Sequence, residues 1–417
     1  MKTTIKFILI TAFLFGITAG SWAQKCLTPK IRNQNTIDNP NILKAIENIQ
    51  IQTQNWIQNN TSSLESRSVV TLPVVVHIIW RLSEENITND QVYSQMEVLN
   101  EDFRKLNSNF FSGPVPFQSL GADIEIEFCL ASIDPFGNPS NGITRTQTFD
   151  DDMGMYKYYD DDLGGKDPWD IKKYINIWVC DIGDDGTLGF ATPPGTADPV
   201  ESDGIVIGHQ YFGTNGTAFN SDPNDLGRTT THEMGHYFNL EHLWGVWDGG
   251  CSEDDFVSDT PNQYESTEAC PDFPYHDDCT FSGNGIMFNN YMDYTDDDCM
   301  TMFTHGQKMR MLAALNGPRS GLLSGNKCNT TSSSKLLNQD IFKVYPNPVA
   351  ETLNIEFSGI NDNEIQILEI LNILGEKMMQ ISFNKTISLS TSELPNGYYF
   401  IRPVNNKENI QGLIISK

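Results

Sequence analysis

THEMGHYFNLEHLWG, residues 231–245, carries three histidines, with Glu233 directly after the first. His232 and His236 are four residues apart. On a helix this sets them about 40° apart around the axis and one turn apart along it. Two imidazoles so placed can share one tetrahedral metal. His242 follows six residues later, and a continuous helix at about 100° per residue would point it away from the other two. The three meet only if the chain reverses. That reversal needs a residue at positive φ, which Gly adopts freely and Asn tolerates best among the rest. Asn239 stands at that point, at a cost on the order of 1 kcal/mol relative to Gly. The spacing HExxHxxNxxH therefore predicts a zinc site of His232, His236 and His242, with Glu233 beside it as a proton carrier and not a ligand. HExxH alone is equally a helix with packed or solvated histidines; Asn239 and His242 weigh against that reading.

The chain around this stretch has 417 residues, with 54 Asp+Glu against 27 Lys+Arg and a formal charge of −27. Such a balance, without a basic run, excludes a nucleic-acid or anionic-membrane binder. MKTTIK, the apolar FILITAFLFGITAG and Ser21-Trp22-Ala23 read as a signal peptide cleaved after Ala23. The residues before Cys26 do not form a lipobox, and no other segment reaches membrane-spanning length. The expected product is exported and carries no transmembrane segment. Eight cysteines in an exported chain favour disulfides. Cys251, Cys270, Cys279 and Cys299 cluster after the histidines without a CxxC pair, which favours disulfides over a thiolate zinc site.

Residues 24–66 are rich in Asn, Gln and Ile, with a helix expected over Ile42–Ile57. They carry no core of their own and read as a pro-segment. Beyond them the pattern is mixed. A strand at 71–80 precedes an amphipathic helix, NDQVYSQMEVLNEDFRKL, with Asn89 or Asp90 expected as N-cap. Strands follow at ADIEIEFCLASI, KYINIWVCDI and GIVIGHQYF, then the histidine helix, a loop-rich stretch from Gly245 to Thr301, and a last helix stopped by Gly317 and Pro318. This predicts an α+β domain over 67–324. A polar linker, 325–340, leads to alternating segments over 341–417 that predict a small all-β sandwich.

The histidine pattern resembles the metzincin zinc endopeptidases, whose signature is HExxHxxGxxH followed by a methionine-containing turn. The departure is Asn239 in place of glycine, and NNYMDYTDDDCM resembles the methionine turn. Within that clan, LPVVVHIIW, QMEVLNEDFRKLN, YINIWVCDIG, LGRTTTHEMGH and DYTDDDCMTMFTHGQKMRM resemble the pappalysin family, across about 67–318. The resemblance implies a metzincin-like zinc protease domain with His232, His236 and His242 as zinc ligands and Glu233 as general base and acid. It makes Met292 a hydrophobic floor beneath the metal. Tyr294 becomes a donor to the tetrahedral oxyanion, the alternative being a tyrosine packed in the turn. The implied reaction is hydrolysis of protein or peptide substrates by zinc-activated water. An inactive metzincin fold serving in binding or adhesion is the competing class, and the intact Glu233 argues against it. An aminopeptidase or amidase usually needs a glutamate ligand from a later helix, and His242 takes that place.

DDFVSDTPN, 254–262, offers Asp255, Asp259 and Thr260 as hard oxygen donors for calcium, and the family resemblance supports calcium there; Asp296, Asp297 and Asp298 are expected to face solvent. The family pattern suggests the pairs Cys251–Cys279 and Cys270–Cys299. Cys129 and Cys180 are left as buried thiols or a pair. A thiolate from Cys26 in the leader is a candidate fourth zinc ligand that keeps a zymogen latent, against pairing with Cys328 or no role. Cleavage before Arg67 is the expected activation point. Some pappalysins cut before basic residues, so self-processing is compatible with it. The C-terminal segments VYPNPVAETLNIEF, ILNILGEKMM and LPNGYYFIRP resemble the sorting domain of bacterial type IX secretion. This implies passage through the periplasm, engagement with the type IX machinery and secretion. A carbohydrate-binding sandwich is disfavoured by the absence of tryptophan.

Overall fold

Val70–Trp80 (β1) is an almost continuous apolar run, and all but its ends are buried, as expected of a parallel strand covered on both faces. The computed structural model describes residues 25–60, 68–324, 327–328 and 342–417, except 151–152, 155, 184–185, 221–222, 247–249, 347, 358–365, 373–376, 393 and 405–410. The signal peptide, Arg67 and most of the linker lie outside the described residues. Two helices precede β1: α1 (Thr28–Asp38) and α2 (Asn41–Asn60). Only the second is foreshadowed by apolar residues; α1 is weakly amphipathic, and its buried positions include the polar Thr28, Arg32 and Asn35.

After β1 comes α3 (Asn89–Phe103). Its N-cap is Thr88 rather than Asn89 or Asp90: the Thr88 hydroxyl accepts the Gln91 N–H, leaving both later residues inside the first turn. The short α4 (Val115–Gln118) leads to β2 (Ile126–Leu130) and β3 (Ile143–Gln147). Glu125, at φ +63°, ends the expected longer strand before Ile126. Both β2 and β3 pair in parallel with β1, on residues 70–74 and 76–80 respectively. On the other edge of β1 lies β4 (Ile175–Cys180), then β6 (Ile205–Gly208), both parallel. The antiparallel β5 (Gly189–Ala191) closes that edge. The histidine helix, α5 (Arg228–Tyr237), packs with α3 beside the sheet, and α6 (His305–Asn316) starts at a capping box built by Thr304 and Gln307. The described residues of 245–303 form no strand or helix, yet Met287, Tyr291, Met292 and Phe303 from them enter the main core.

Residues 1–329 and 330–417 are two compact units. The second contains β7 (Phe342–Tyr345), β8 (Thr352–Phe357), β9 (Gln366–Asn372), β10 (Lys377–Phe383), β11 (Thr386–Ser390), β12 (Gly397–Pro403) and β13 (Gln411–Ile415). They form two antiparallel sheets, β10-β9-β12-β13 and β11-β8-β7, around Val349, Leu353, Ile370, Ile401 and Leu413. Cys251–Cys279 and Cys270–Cys299 are bonded, as is Cys129–Cys328. That third bridge excludes Cys129–Cys180 and Cys26–Cys328. Among the described residues no helix is long and apolar enough to cross a membrane.

One buried carboxylate ties α3 to the site. Asp102 accepts from Arg228 and from the Thr231 hydroxyl of α5, and from the Tyr291 hydroxyl at 2.9 Å. Asp102 is fully buried and Arg228 nearly so, and removing one partner of such a pair strands the other charge. Asp102→Ala is expected to destabilise the chain by about 3–5 kcal/mol, read as a lower denaturant midpoint with an unchanged slope.

Candidate metal centre and cleft

Helix α5 ends at Tyr237, and Asn239 sits at φ +73°. The Leu240 N–H then reaches back to the Gly235 carbonyl at 3.0 Å, closing the turn. The reversal aims the Leu240 carbonyl at His236 Nδ1, 2.8 Å away. The Tyr291 carbonyl accepts His232 Nδ1 at 2.7 Å. A carbonyl only accepts, so both Nδ1 atoms carry the hydrogen and both Nε2 atoms present lone pairs. Those lone pairs face His242 Nε2, at 3.2 Å from His232 and 3.1 Å from His236.

A single His242 hydrogen cannot satisfy two such neighbours. Burial holds all three imidazoles below their ordinary pKa, His236 at about 3, so they stay neutral. Three neutral nitrogen donors converging in a buried site fit a divalent cation such as zinc. Cys26 Sγ lies with these nitrogens, all within 4.8 Å of one another.

Three neighbours, Met292, Trp244 and Tyr294, pack around the imidazoles and their helix. A Cβ on Gly235 would lie 2.5 Å from Met292 Sδ, so the glycine of HEMGH is what lets the methionine turn pack under the helix. Trp244 stacks on His242, with centroids 4.4 Å apart and planes at 12°. Tyr294 packs edge-on to the same histidine and lies at 5.6 Å from the ring of His232.

Glu233 is buried next to the cluster, and its Oε2 accepts the Thr28 hydroxyl at 3.0 Å. Burial raises its carboxyl to about 8, opposed by hydrogen bonds from Cys26 and Thr28. The same burial, reinforced by Glu233, pushes the Cys26 thiol well up. The leader carrying these groups lies along the sheet edge: Cys26 bridges Gly189 in parallel, Leu27 N–H donates to Gly189 O, and Leu188 N–H donates to Lys25 O. Further along, buried Arg32 bonds Glu241, and Tyr294 donates to the Cys26 carbonyl at 3.4 Å.

The cavity beside His232 is lined by Lys25, Glu233, Tyr294, Asp297 and Met300. Asp297 is therefore not solvent-facing. Its Oδ2 accepts the Leu226 and Arg228 N–H groups at the start of α5, where a carboxylate meets the positive end of the helix. Burial still lifts it to about 6. Asp296 is half-buried and Asp298 exposed. Thr28, Trp244 and Asp297 escape sequence reading because nothing in their local pattern separates them from ordinary loop or helix residues.

Asp255 and Asp259 have different partners. Asp255 Oδ2 accepts Thr260 Oγ1 at 2.7 Å, whereas Asp259 accepts Thr304 Oγ1 and the Gly306 N–H at the start of α6.

Because the turn depends on positive φ, Asn239→Gly is expected to leave the zinc affinity of the full chain unchanged or tighter. Asn239→Ala costs roughly 1 kcal/mol, about fivefold in affinity. Equilibrium competition with a zinc chelator reads both; loss of zinc in the glycine variant would mean that the asparagine side chain itself is required.

The profile described as pregnancy-associated plasma protein-A matches residues 157–316, and that of a secretion system C-terminal sorting domain matches 343–417. An extracellular metalloprotease of Arthroderma benhamiae is 33% identical over 247 residues, 58% of this chain and 71% of that protein. One from Arthroderma gypseum is 31% identical over 259 residues, covering 61% and 75%. Among solved structures, mirolysin in complex with compound 9 has a TM-score of 0.60 at 44% identity, over 62% of this chain and 97% of its own. A Tannerella forsythia promirolysin mutant reaches 0.65 at 39% identity, over 72% and 97%. Likeness that runs through 97% of the mirolysin chain and 71% of the Arthroderma benhamiae enzyme makes this chain a secreted metalloprotease of the pappalysin family, with a type IX secretion sorting domain over 343–417.

Proposed function

We propose that His232, His236 and His242 hold a catalytic zinc, that Glu233 carries the proton in peptide-bond hydrolysis, and that the leader keeps the enzyme latent. The observation that carries this is the meeting of three Nε2 atoms, two of them, on His232 and His236, with tautomers set by backbone carbonyls. Zinc bound there would supply Lewis acidity to a water and to the scissile carbonyl. The chain's own groups do the rest. Glu233, adjacent and not a ligand, accepts the proton of the attacking water and returns it to the leaving amine. With the leader in place, burial holds its carboxyl at about 8. The Tyr294 hydroxyl, which reaches the Cys26 carbonyl in the cleft, is placed to donate to an oxyanion formed from a substrate carbonyl.

Latency follows from what the leader occupies. Cys26 fills the side of the histidine cluster where a substrate would enter, and Thr28 holds the carboxylate needed for proton transfer. The pocket beside His232 takes Lys25, whose ammonium donates to Tyr294 O at 2.8 Å, pairs with Glu268 at 3.5 Å and offsets a small part of the rise that burial gives Asp297. This supports a preference for a basic substrate side chain in that pocket once the leader is gone. We also infer that loop 254–260 binds calcium through Asp255, Thr260 and the Val257 carbonyl. Those oxygens already lie together, with Thr260 Oγ1 2.7 Å from Asp255 and 2.8 Å from Val257 O. Asp259 instead secures α6.

Glu233→Ala is expected to retain zinc by elemental analysis while cleavage of a peptide library by the activated protein falls by about 10²–10⁴. Equal cleavage by both proteins would overturn the mechanism. Cys26→Ala should give an uncleaved precursor with measurable hydrolysis, and a precursor as inert as before would remove the thiol from latency. Added calcium should raise the melting temperature of the full chain, and Asp255→Asn should abolish that rise.

A further inference from the structure

Of the groups the leader touches, Glu241 is left without a role by hydrolysis and latency. It sits directly before His242, and its side chain is only 12% exposed. Arg32, itself buried at 3% exposure, sends Nη1 to both Glu241 oxygens at 2.8 Å and Nη2 to the Val246 carbonyl at 2.9 Å. This is a built guanidinium site: a carboxylate and a carbonyl, both on the segment that carries His242. Arg310 also feels the charge of Glu241, but its guanidinium is held by two hydrogen bonds to the Asn239 carbonyl.

We propose that Glu241 and the Val246 carbonyl form a substrate subsite for an arginine side chain, separate from the pocket that takes Lys25. The proposal rests on the proteolytic reading above and on departure of the leader. Two features make the site more than a latency contact. Cys26 lies at the metal centre, Lys25 precedes it and Arg32 follows it, so the two basic side chains leave the leader on opposite sides of that centre in chain order. When the leader goes, the Glu241 carboxylate and the Val246 carbonyl lose the guanidinium that bridged them and open to water. A guanidinium from substrate can make the same charge-assisted bonds that Arg32 made. A lysine, a point charge on a flexible stem, does not span the carboxylate and the carbonyl together.

The activated protein is tested on peptides that share one cleavage site and carry arginine, or its neutral isostere citrulline, at each position on either side of the scissile bond. One position beyond that served by the Asp297 pocket should favour arginine by on the order of tenfold in kcat/KM. In Glu241→Gln that ratio should fall to about one, while the preference at the Asp297 pocket persists. If the unsubstituted enzyme discriminates at no second position, or the tenfold ratio survives in Glu241→Gln, the subsite does not exist and Glu241 is no more than an anchor for the leader. The arginine–citrulline comparison in the unsubstituted enzyme decides the matter even if the variant fails to fold. Absence of any cleavage would sink the proteolytic reading itself, and the subsite with it.

Discussion

Two imidazole lone pairs, on His232 and His236, face His242 Nε2 within 3.2 Å, which a single His242 hydrogen cannot satisfy but a cation among them can, and the local structure is arranged to hold them there. Backbone carbonyls from two different segments, Leu240 and Tyr291, fix the tautomers of His236 and His232. Leu240 is reachable only because Asn239 turns the chain, and Tyr291 only because Gly235 lets Met292 lie against the helix. Each of these depends on α5 being held in place, and Asp102 does that by bonding α5 and Tyr291 at once. The fold's contribution to the chemistry is thus to make an electrostatically unfavourable cluster the outcome of favourable packing around it. This is how a metal site is pre-organised before the metal arrives.

The leader exploits the same arrangement. Its first described residues extend the sheet at β5, which fixes Cys26 by backbone bonds rather than by the thiol alone. Arg32 and Lys25 then anchor either side through ion pairs whose acidic partners belong to the protease. The Lys25–Glu268 pair, whose glutamate is exposed, contributes little in water, whereas the buried Arg32–Glu241 pair is specific in geometry and costly to break from one side. Latency in this reading is spread over sheet pairing, a thiol, a hydroxyl on Glu233 and one buried ion pair.

Much of this was legible in the sequence because it rests on local rules. Four-residue spacing, a positive-φ asparagine and a methionine turn are all short-range, and they lead to His232, His236, His242 and the reversal. The fold class follows from strand and helix periodicity, and the family relationship from blocks spread over the protease domain. What was not legible is long-range. Asp297 lies in an acidic run that reads as solvated, yet the start of α5, some seventy residues earlier, folds onto it. Helix α1 has almost no amphipathic signal because its buried face is mostly polar: only Ile31 joins a core cluster, while Thr28 and Arg32 are matched to Glu233 and Glu241. Cys129 and Cys328 are 199 residues apart, and only the completed sheet brings them together.

The polarity of α1's buried face is itself informative. A segment that had to stay docked permanently would gain more from apolar burial, since hydrophobic area needs no exact partner. Helix α1 instead buries Thr28, Arg32 and Asn35, each bonded to a group of the cleft: Ala191 and Glu233, Glu241 and Val246, and the Thr196 carbonyl. Those bonds exchange for water or substrate at small net cost when the helix leaves, and Ile31 is the apolar side chain that α1 buries against the core. At the metal centre it offers the Cys26 side chain rather than a scissile carbonyl. In the proposed latent state the leader therefore blocks the cleft without being presented as a substrate, held by bonds of the kind that a peptide with basic side chains is proposed to make in its place.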